Sequence, residues 1–172
     1  MALIDDYRKA GQDIYDRLHL SSYPVAIKYI RDIGEIPDGF LRPASLGQKA
    51  SLCQAFTYAR RMALSIAMTA DDNFCTPATV MHRWVDIPFE VLMESQLHQK
   101  WHRNAEAERK RLDHGKKMIG EANLSGLSQY AGFICCPLSD ARFEPDTVLI
   151  FGNSENITHI IHALTYEGEN FT

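Results

Sequence analysis

The stretch Tyr130-Ala-Gly-Phe-Ile-Cys-Cys-Pro137 is a short apolar run, of the kind that forms an interior strand of a β-sheet. A second run of this kind, Asp146-Thr-Val-Leu-Ile-Phe151, follows it closely. Earlier in the chain, Pro24-Val-Ala-Ile-Lys-Tyr-Ile30 is rich in β-forming residues, and Ala63-Leu-Ser-Ile-Ala-Met-Thr69 alternates in polarity. These runs predict a mixed β-sheet of about four or more strands.

Apolar residues at helical intervals predict helices in the first half of the chain. Serine and threonine suit the N-cap position, and a proline suits the first helical turn, as Pro77 would after Thr76. The predicted helices run from Leu3 to Leu18, from Ser51 through Arg61, and from Thr76 to about Trp84.

Two further helices are predicted in the second half. Pro88 opens a helical stretch that becomes one long polar helix between Val91 and about Met118. The last helix follows the turn Gly152-Asn153-Ser154, and its apolar residues are expected to form one buried stripe. Helices and strands mingle without strict alternation, so the predicted class is α+β. The stripe consists of Ile157, Ile160, Ile161 and Leu164.

Length and composition describe an ordinary globular protein. The chain has 172 residues, which suits a single domain over residues 1–172, with 45% hydrophobic and 23% charged residues. A net charge of −4 gives no global attraction for nucleic acid or an anionic membrane surface. The N-terminus lacks the apolar core of a signal peptide. We therefore expect a cytoplasmic protein whose four cysteines are buried thiols, ligands or nucleophiles.

Several stretches together resemble one known family. They are Tyr23-Pro-Val-Ala-Ile-Lys28, Cys53-Gln54 with Ala59-Arg60, the acidic turn into Cys75, Pro137-Leu138, Phe143-Glu-Pro-Asp146, and Phe151-Gly-Asn153 before the isoleucine-rich helix. In this order and spacing they resemble the uncharacterised ArCR family (domain of unknown function one-six-nine), over about residues 23 to 166. The family has no settled activity to transfer.

The resemblance adds weight to Cys53 and Cys75, because family members resemble this chain at both positions. The chain departs from the family pattern after Cys75, where Thr76 and Pro77 stand in place of glycines. Family chains also tend to continue past the final helix into a segment with a further cysteine, whereas this sequence stops at Thr172. The resemblance therefore implies that related chains carry a C-terminal segment beyond this one.

Cys53 and Cys75 are the strongest candidate ligands for a metal or an iron–sulfur cluster. Each is expected near the start of a helix, where backbone dipoles stabilise a thiolate. Two thiolates do not complete a four-coordinate site. The other ligands would come from Cys135 or Cys136, from His82, from a second subunit or from a further C-terminal segment. The alternative is that these thiols are structural, and core packing is expected for at least one of Cys135 and Cys136.

Two basic residues are candidates for binding a small anionic ligand. Lys28 lies in an apolar strand, where its ammonium either points to solvent or meets an anion on a covered face. Arg60 lies on the helix of Cys53, and its planar guanidinium can bind a carboxylate through two hydrogen bonds.

The function hypothesis is a metal- or iron–sulfur-binding protein, acting as a redox or accessory subunit of a larger enzyme. We expect it to be a homo-oligomer or part of a complex. One alternative is a cysteine-dependent small-molecule enzyme, with His82 as the base nearest Cys75 in sequence. Another is a non-catalytic interaction module whose basic helix from Arg109 to Lys117 contacts an acidic partner.

Overall fold

The computed structural model describes residues 2–82, 84, 103–121 and 130–166. Its strands are β1 Val25–Ile30, β2 Ile66–Thr69, β3 Gly132–Pro137 and β4 Thr147–Leu149. They form one sheet in the order β2-β3-β1-β4. Every ladder between these strands is antiparallel, so the prediction of a mixed sheet is wrong for them. Parallel pairing occurs among the described residues as two isolated bridges.

The predicted interior position is confirmed for β3 and wrong for β4. All six residues of β3 are buried, as expected for a strand with neighbours on both sides. The strand β4 lies at the edge of the sheet, with Thr147 exposed and Val148 and Leu149 half-buried. The strand is also shorter than the run of residues 146–151 that predicted it, and short edge strands are common in native sheets.

The sheet has a separate hydrophobic cluster on each face, because successive side chains of a strand point in opposite directions. On one face Val25 and Ile27 pack with Phe133 and Cys135. On the other face Ala26 and Ile30 pack with Cys136 and Leu138. The class is therefore α+β, as predicted: one antiparallel sheet with helices packed on it.

Five α-helices lie within the described residues. They are α1 Ala2–Arg17, α2 Leu52–Met62, α3 Thr76–Met81, α4 Ala105–Glu121 and α5 Ser154–Tyr166. The helix α2 packs on the face of Val25 through Leu52, Ala55 and Ala59, while α1 reaches the opposite face, where Tyr7 joins the cluster of Leu138. None of the described helices is long and apolar enough to cross a membrane.

The observed helices differ from the predicted ones in two details. The N-cap of α3 is Cys75 rather than Thr76, because the Cys75 carbonyl already accepts a bond of 3.0 Å from the Thr79 N–H. The apolar stripe of α5 is not buried: Ile157, Ile161 and Leu164 are 37%, 45% and 49% exposed. The predicted stretch that opens at Pro88 lies outside the described residues, as does the N-terminal part of the long polar helix.

Candidate functional site

A backbone bridge brings together the segments that lead into α2 and α3. Ala50 and Asn73 form an isolated parallel bridge. The Ala50 N–H donates to the Asp72 carbonyl at 2.9 Å, and the Phe74 N–H donates to the Ala50 carbonyl at 3.3 Å. The two segments thus run side by side in the same direction, and each enters a helix within a few residues. Cys53 follows Ala50 by three residues, and Cys75 follows Asn73 by two.

Cys53 lies in the first turn of α2, which a reciprocal cap holds in place. The Gln54 N–H donates to Ser51 Oγ at 3.2 Å, and the Ser51 N–H donates to Gln54 Oε1 at 2.8 Å. This capping box fixes the helix start that the sequence predicted at Ser51. The Cys53 thiol is exposed and forms no disulfide, so it is accessible at the positive end of the helix dipole.

Cys75 is half-buried, and hydrogen bonds of its backbone hold it in place. The Cys75 N–H donates to Asn73 Oδ1 at 3.1 Å, an Asx turn, and Asn73 Nδ2 donates to the Cys75 carbonyl at 3.0 Å. Asn73 Nδ2 also donates to Thr79 Oγ1, at 2.6 Å. The Cys75 side chain makes no capping bond. Asn73 therefore orients Cys75 without occupying its thiol.

Asp72 anchors the turn behind the two cysteines. Its carboxylate is fully buried and accepts bonds from the Arg42 guanidinium at 3.0 Å, from Thr69 Oγ1 at 2.7 Å and from the Ala44 N–H at 2.9 Å. Burial alone raises the pKa of Asp72, but the hydrogen bonds outweigh it and hold the pKa below its usual value. The ionised carboxylate therefore fixes the loop before α2 to the turn before α3.

An aromatic cluster lies on the same face of the sheet as α2. Phe133 is its buried centre, with the Phe56 ring centroid 5.4 Å away and the Trp84 centroid 6.1 Å away. His82 stacks on Trp84 at 5.1 Å, and its Nδ1 shares a hydrogen bond of 3.1 Å with the Tyr29 hydroxyl. Burial lowers the pKa of His82, which favours the neutral imidazole at pH 7.

His82 is poorly placed to act as a base for Cys75. The two residues lie at opposite ends of α3, so seven helical steps separate their backbones by about 10 Å. A general base needs hydrogen-bond reach of roughly 3 Å to the thiol. The Nδ1 atom of His82 is also occupied by Tyr29. This geometry weakens the enzyme alternative.

Cys135 and Cys136 are completely buried, and they point to opposite faces of the sheet. Burial raises the pKa of Cys135, with a further contribution from the Cys136 charge. Burial also raises the pKa of Cys136, to about 12. Both thiols are therefore protonated at neutral pH in the buried surroundings that the sheet gives them. This is the core packing that the sequence analysis expected for at least one of them.

The structure does not bring Lys28 and Arg60 together. Lys28 shares its sheet face with Ala26 and Ile30, and its Nζ donates to the Glu144 carbonyl at 3.1 Å. Arg60 is on α2, which covers the opposite face, and its guanidinium lies 4.3 Å from the centroid of the Phe151 ring. The two cations therefore do not bind one anion.

The residues that the structure describes contain no group of three or more His, Cys, Asp or Glu side chains that could hold a metal ion. Within that part of the chain, Cys53 and Cys75 supply at most two sulfurs of a centre. Metal or cluster binding by these residues thus stays a prediction, and any further ligand lies outside the described residues or on another molecule.

A family model described as "Uncharacterised ArCR" matches residues 13–172 of the chain. The chain belongs to this family. The match extends over both cysteines of the candidate site and over all four strands, in agreement with the resemblance seen in the sequence. No curated protein and no solved structure matches the chain. Membership of the ArCR family therefore brings no activity with it.

Two residues that organise the site are absent from the sequence prediction. Asn73 has a readable signal, because an asparagine two residues before a helix start is typical of an Asx turn. Asp72 has none: it is one of two adjacent aspartates, and its partner Arg42 lies in a loop thirty positions earlier. The structure is needed to see which aspartate is buried.

Proposed function

We propose that Cys53 and Cys75 together bind a metal ion or an iron–sulfur cluster through their sulfurs. The observation that supports this is the Ala50–Asn73 bridge, which starts α2 and α3 from neighbouring backbone positions, each with a cysteine beside the helix start. The helix dipole at the start of α2 favours negative charge beside Cys53. An anionic cluster is stabilised by the same field.

The remaining ligands come from outside the described site. Two copies of the chain that meet at this surface would supply four sulfurs, which is the ligand number of a tetrahedral zinc or a cluster with four cysteine ligands. A protein of this kind suits a redox or accessory subunit in a reducing, cytoplasmic compartment, where the thiols stay free.

Arg60 is the proposed cation for a small anionic ligand at this site. It lies seven residues after Cys53, two turns along the same flank of α2, with the half-buried Phe56 between them. Seven helical steps separate its backbone from that of Cys53 by about 10 Å, so the long side chain would have to leave the Phe151 ring and extend toward the start of α2 to meet an anion beside the sulfurs. Lys28, on the other face of the sheet, takes no part in it.

Anaerobic purification followed by reconstitution with iron and sulfide tests the proposal. We expect visible absorption and bound iron in the wild-type protein, and loss of both in Cys53→Ser and in Cys75→Ser. The matched control is Cys136→Ala, which removes a buried thiol on the opposite face and should leave the iron content unchanged. A folded wild-type protein that binds neither iron nor zinc, or a Cys53→Ser variant with full iron content, contradicts the proposal.

A further inference from the structure

A polar cavity of about 480 Å³ lies between the N-terminal helix and the turn that follows β3. Its lining differs from that of the cysteine site, because nearly all of the side chains around it carry a charge or a hydroxyl group. The described residues of its wall are Arg8, Ala63, Ser65, Ser139, Asp140 and Arg142.

Arg8 is held at this cavity by the packing of α1. Gly11, one turn further along the helix, lies against the turn after β3: a Cβ there would be 2.8 Å from Leu138 Cγ and from the Ser139 backbone nitrogen. This close approach brings Arg8 Nε to the Ala141 carbonyl, with a hydrogen bond of 2.7 Å. The guanidinium is thereby oriented before any ligand arrives.

Arg142 is fixed on the other side of the cavity. Its Nη1 donates to the Asp38 carbonyl at 3.0 Å. An arginine carries five N–H donors in a planar fork, so one backbone bond leaves most of them for a ligand. Arg8 also meets Asp5 at 3.5 Å, an exposed pair that is weak in water. Two oriented guanidinium groups therefore line the cavity with donors to spare.

Asp140 makes the cavity asymmetric. Within the described part of the chain its carboxylate forms no ion pair with Arg8 or Arg142, although all three side chains line the same space. The same three charges act on the buried Cys136 thiol from this side: Asp140 raises its pKa, and Arg142 and Arg8 lower it. The hydroxyls of Ser65 and Ser139 add neutral hydrogen-bonding groups.

We propose that this cavity binds a small zwitterionic molecule, whose oxyanion (phosphate or carboxylate) lies on Arg8 and Arg142 and whose ammonium faces Asp140. Planar guanidinium groups suit both kinds of oxyanion, and a compact ammonium next to a carboxylate completes the charge balance. The volume accommodates a molecule of several heavy atoms rather than a bare ion.

Titration calorimetry with matched probes tests this site. Phosphoethanolamine and ethyl phosphate have similar sizes and differ in the terminal ammonium; β-alanine and propionate form the corresponding carboxylate pair. We expect saturable binding of at least one zwitterion, and weaker binding of its partner without the ammonium. The pair that binds identifies phosphate or carboxylate as the oxyanion. Failure of every probe to bind overturns the proposal.

Three variants assign the binding to the cavity. Arg142→Gln should weaken binding of the preferred zwitterion about tenfold or more, as expected for the loss of a charge-assisted contact. Asp140→Asn should remove the preference for the zwitterion within its pair. The control Arg61→Gln makes the same charge change at an exposed position on α2 and should change the affinity less than about twofold. Equal losses in Arg61→Gln and Arg142→Gln, or no loss in Arg142→Gln, overturn the proposal.

Discussion

Asp72 is the buried carboxylate that ties together the two segments of the cysteine site. Both of its oxygens act as hydrogen-bond acceptors. Oδ2 accepts from the Arg42 guanidinium, from the Thr69 N–H and from Thr69 Oγ1, and Oδ1 accepts from the Ala44 N–H. A neutral amide at this position would place its own N–H₂ against one set of these donors in either orientation. The local geometry therefore depends on the ionised side chain.

We expect Asp72→Asn to lower the free energy of unfolding by about 3 kcal/mol, since it breaks a buried ion pair and leaves donors unpaired. Chemical denaturation measures the change. The matched control is Asp71→Asn, the same substitution at the exposed residue one position earlier, with an expected change within about 0.5 kcal/mol. Equal effects of the two variants would show that Asp72 is not the anchor described.

The same carboxylate predicts how stability changes in acid. The pKa of Asp72 in the folded protein lies below the ordinary aspartate value of 3.8. Its contribution is therefore complete above pH 3.8 and is lost as the pH falls from there through the lower folded pKa. Wild type and Asp72→Asn should differ most near pH 6, and the difference should shrink as the pH falls below 3.8. Denaturation curves with a constant difference across that range would contradict this assignment.

The contact between α1 and the turn after β3 depends on Gly11. We expect Gly11→Ala to destabilise the protein by about 1–2 kcal/mol, because the clash of the new Cβ with Leu138 and Ser139 exceeds the gain in helix propensity. Lys9→Ala, at an exposed position of the same helix, should change little. Urea denaturation decides, and a more stable Gly11→Ala protein would refute the close contact.

Residues in the exposed apolar stripe of α5 should contribute less to the stability of the protein than residues in the core. Ile161 is 45% exposed, whereas Ile134 in β3 is 1% exposed. Ile161→Ala should therefore cost less than about 1 kcal/mol, and Ile134→Ala about 2–5 kcal/mol. Similar losses for the two substitutions in thermal or chemical unfolding would mean that α5 buries its apolar face.

The helices and strands were predictable to the extent that local patterns determine them. The Ser51-to-Gln54 spacing marks the start of α2, and the apolar run at residues 132–137 marks a buried strand. The periodicity of α5 correctly predicts a helix but not its burial, since period alone does not tell what covers a face. The helix is instead held near its start, where Asn156 Nδ2 donates to the Leu18 carbonyl at 2.7 Å.

The structural features that could not be predicted from the sequence are those that depend on contacts between segments far apart in the chain. Because side chains alternate along β1, Lys28 and Ile27 are predicted to point to opposite faces of the sheet. Only the packing of α2 shows that Arg60 lies on the same face as Ile27. Likewise, no local signal links Ala50 to Asn73, because a backbone bridge is independent of side-chain type. The candidate cysteine site was therefore a hypothesis about topology rather than about a motif.

The proposed site requires that folding places Cys53 and Cys75 side by side, and a short thiol-specific cross-linker tests this arrangement. Dibromobimane becomes strongly fluorescent when it alkylates two neighbouring thiols, and peptide mass spectrometry identifies the linked residues. We predict one intrachain product that joins Cys53 to Cys75 in the reduced native protein, absent from Cys53→Ser and Cys75→Ser, with the buried Cys135 and Cys136 unmodified. Separate single alkylations of Cys53 and Cys75, with no linked peptide, would contradict the claim.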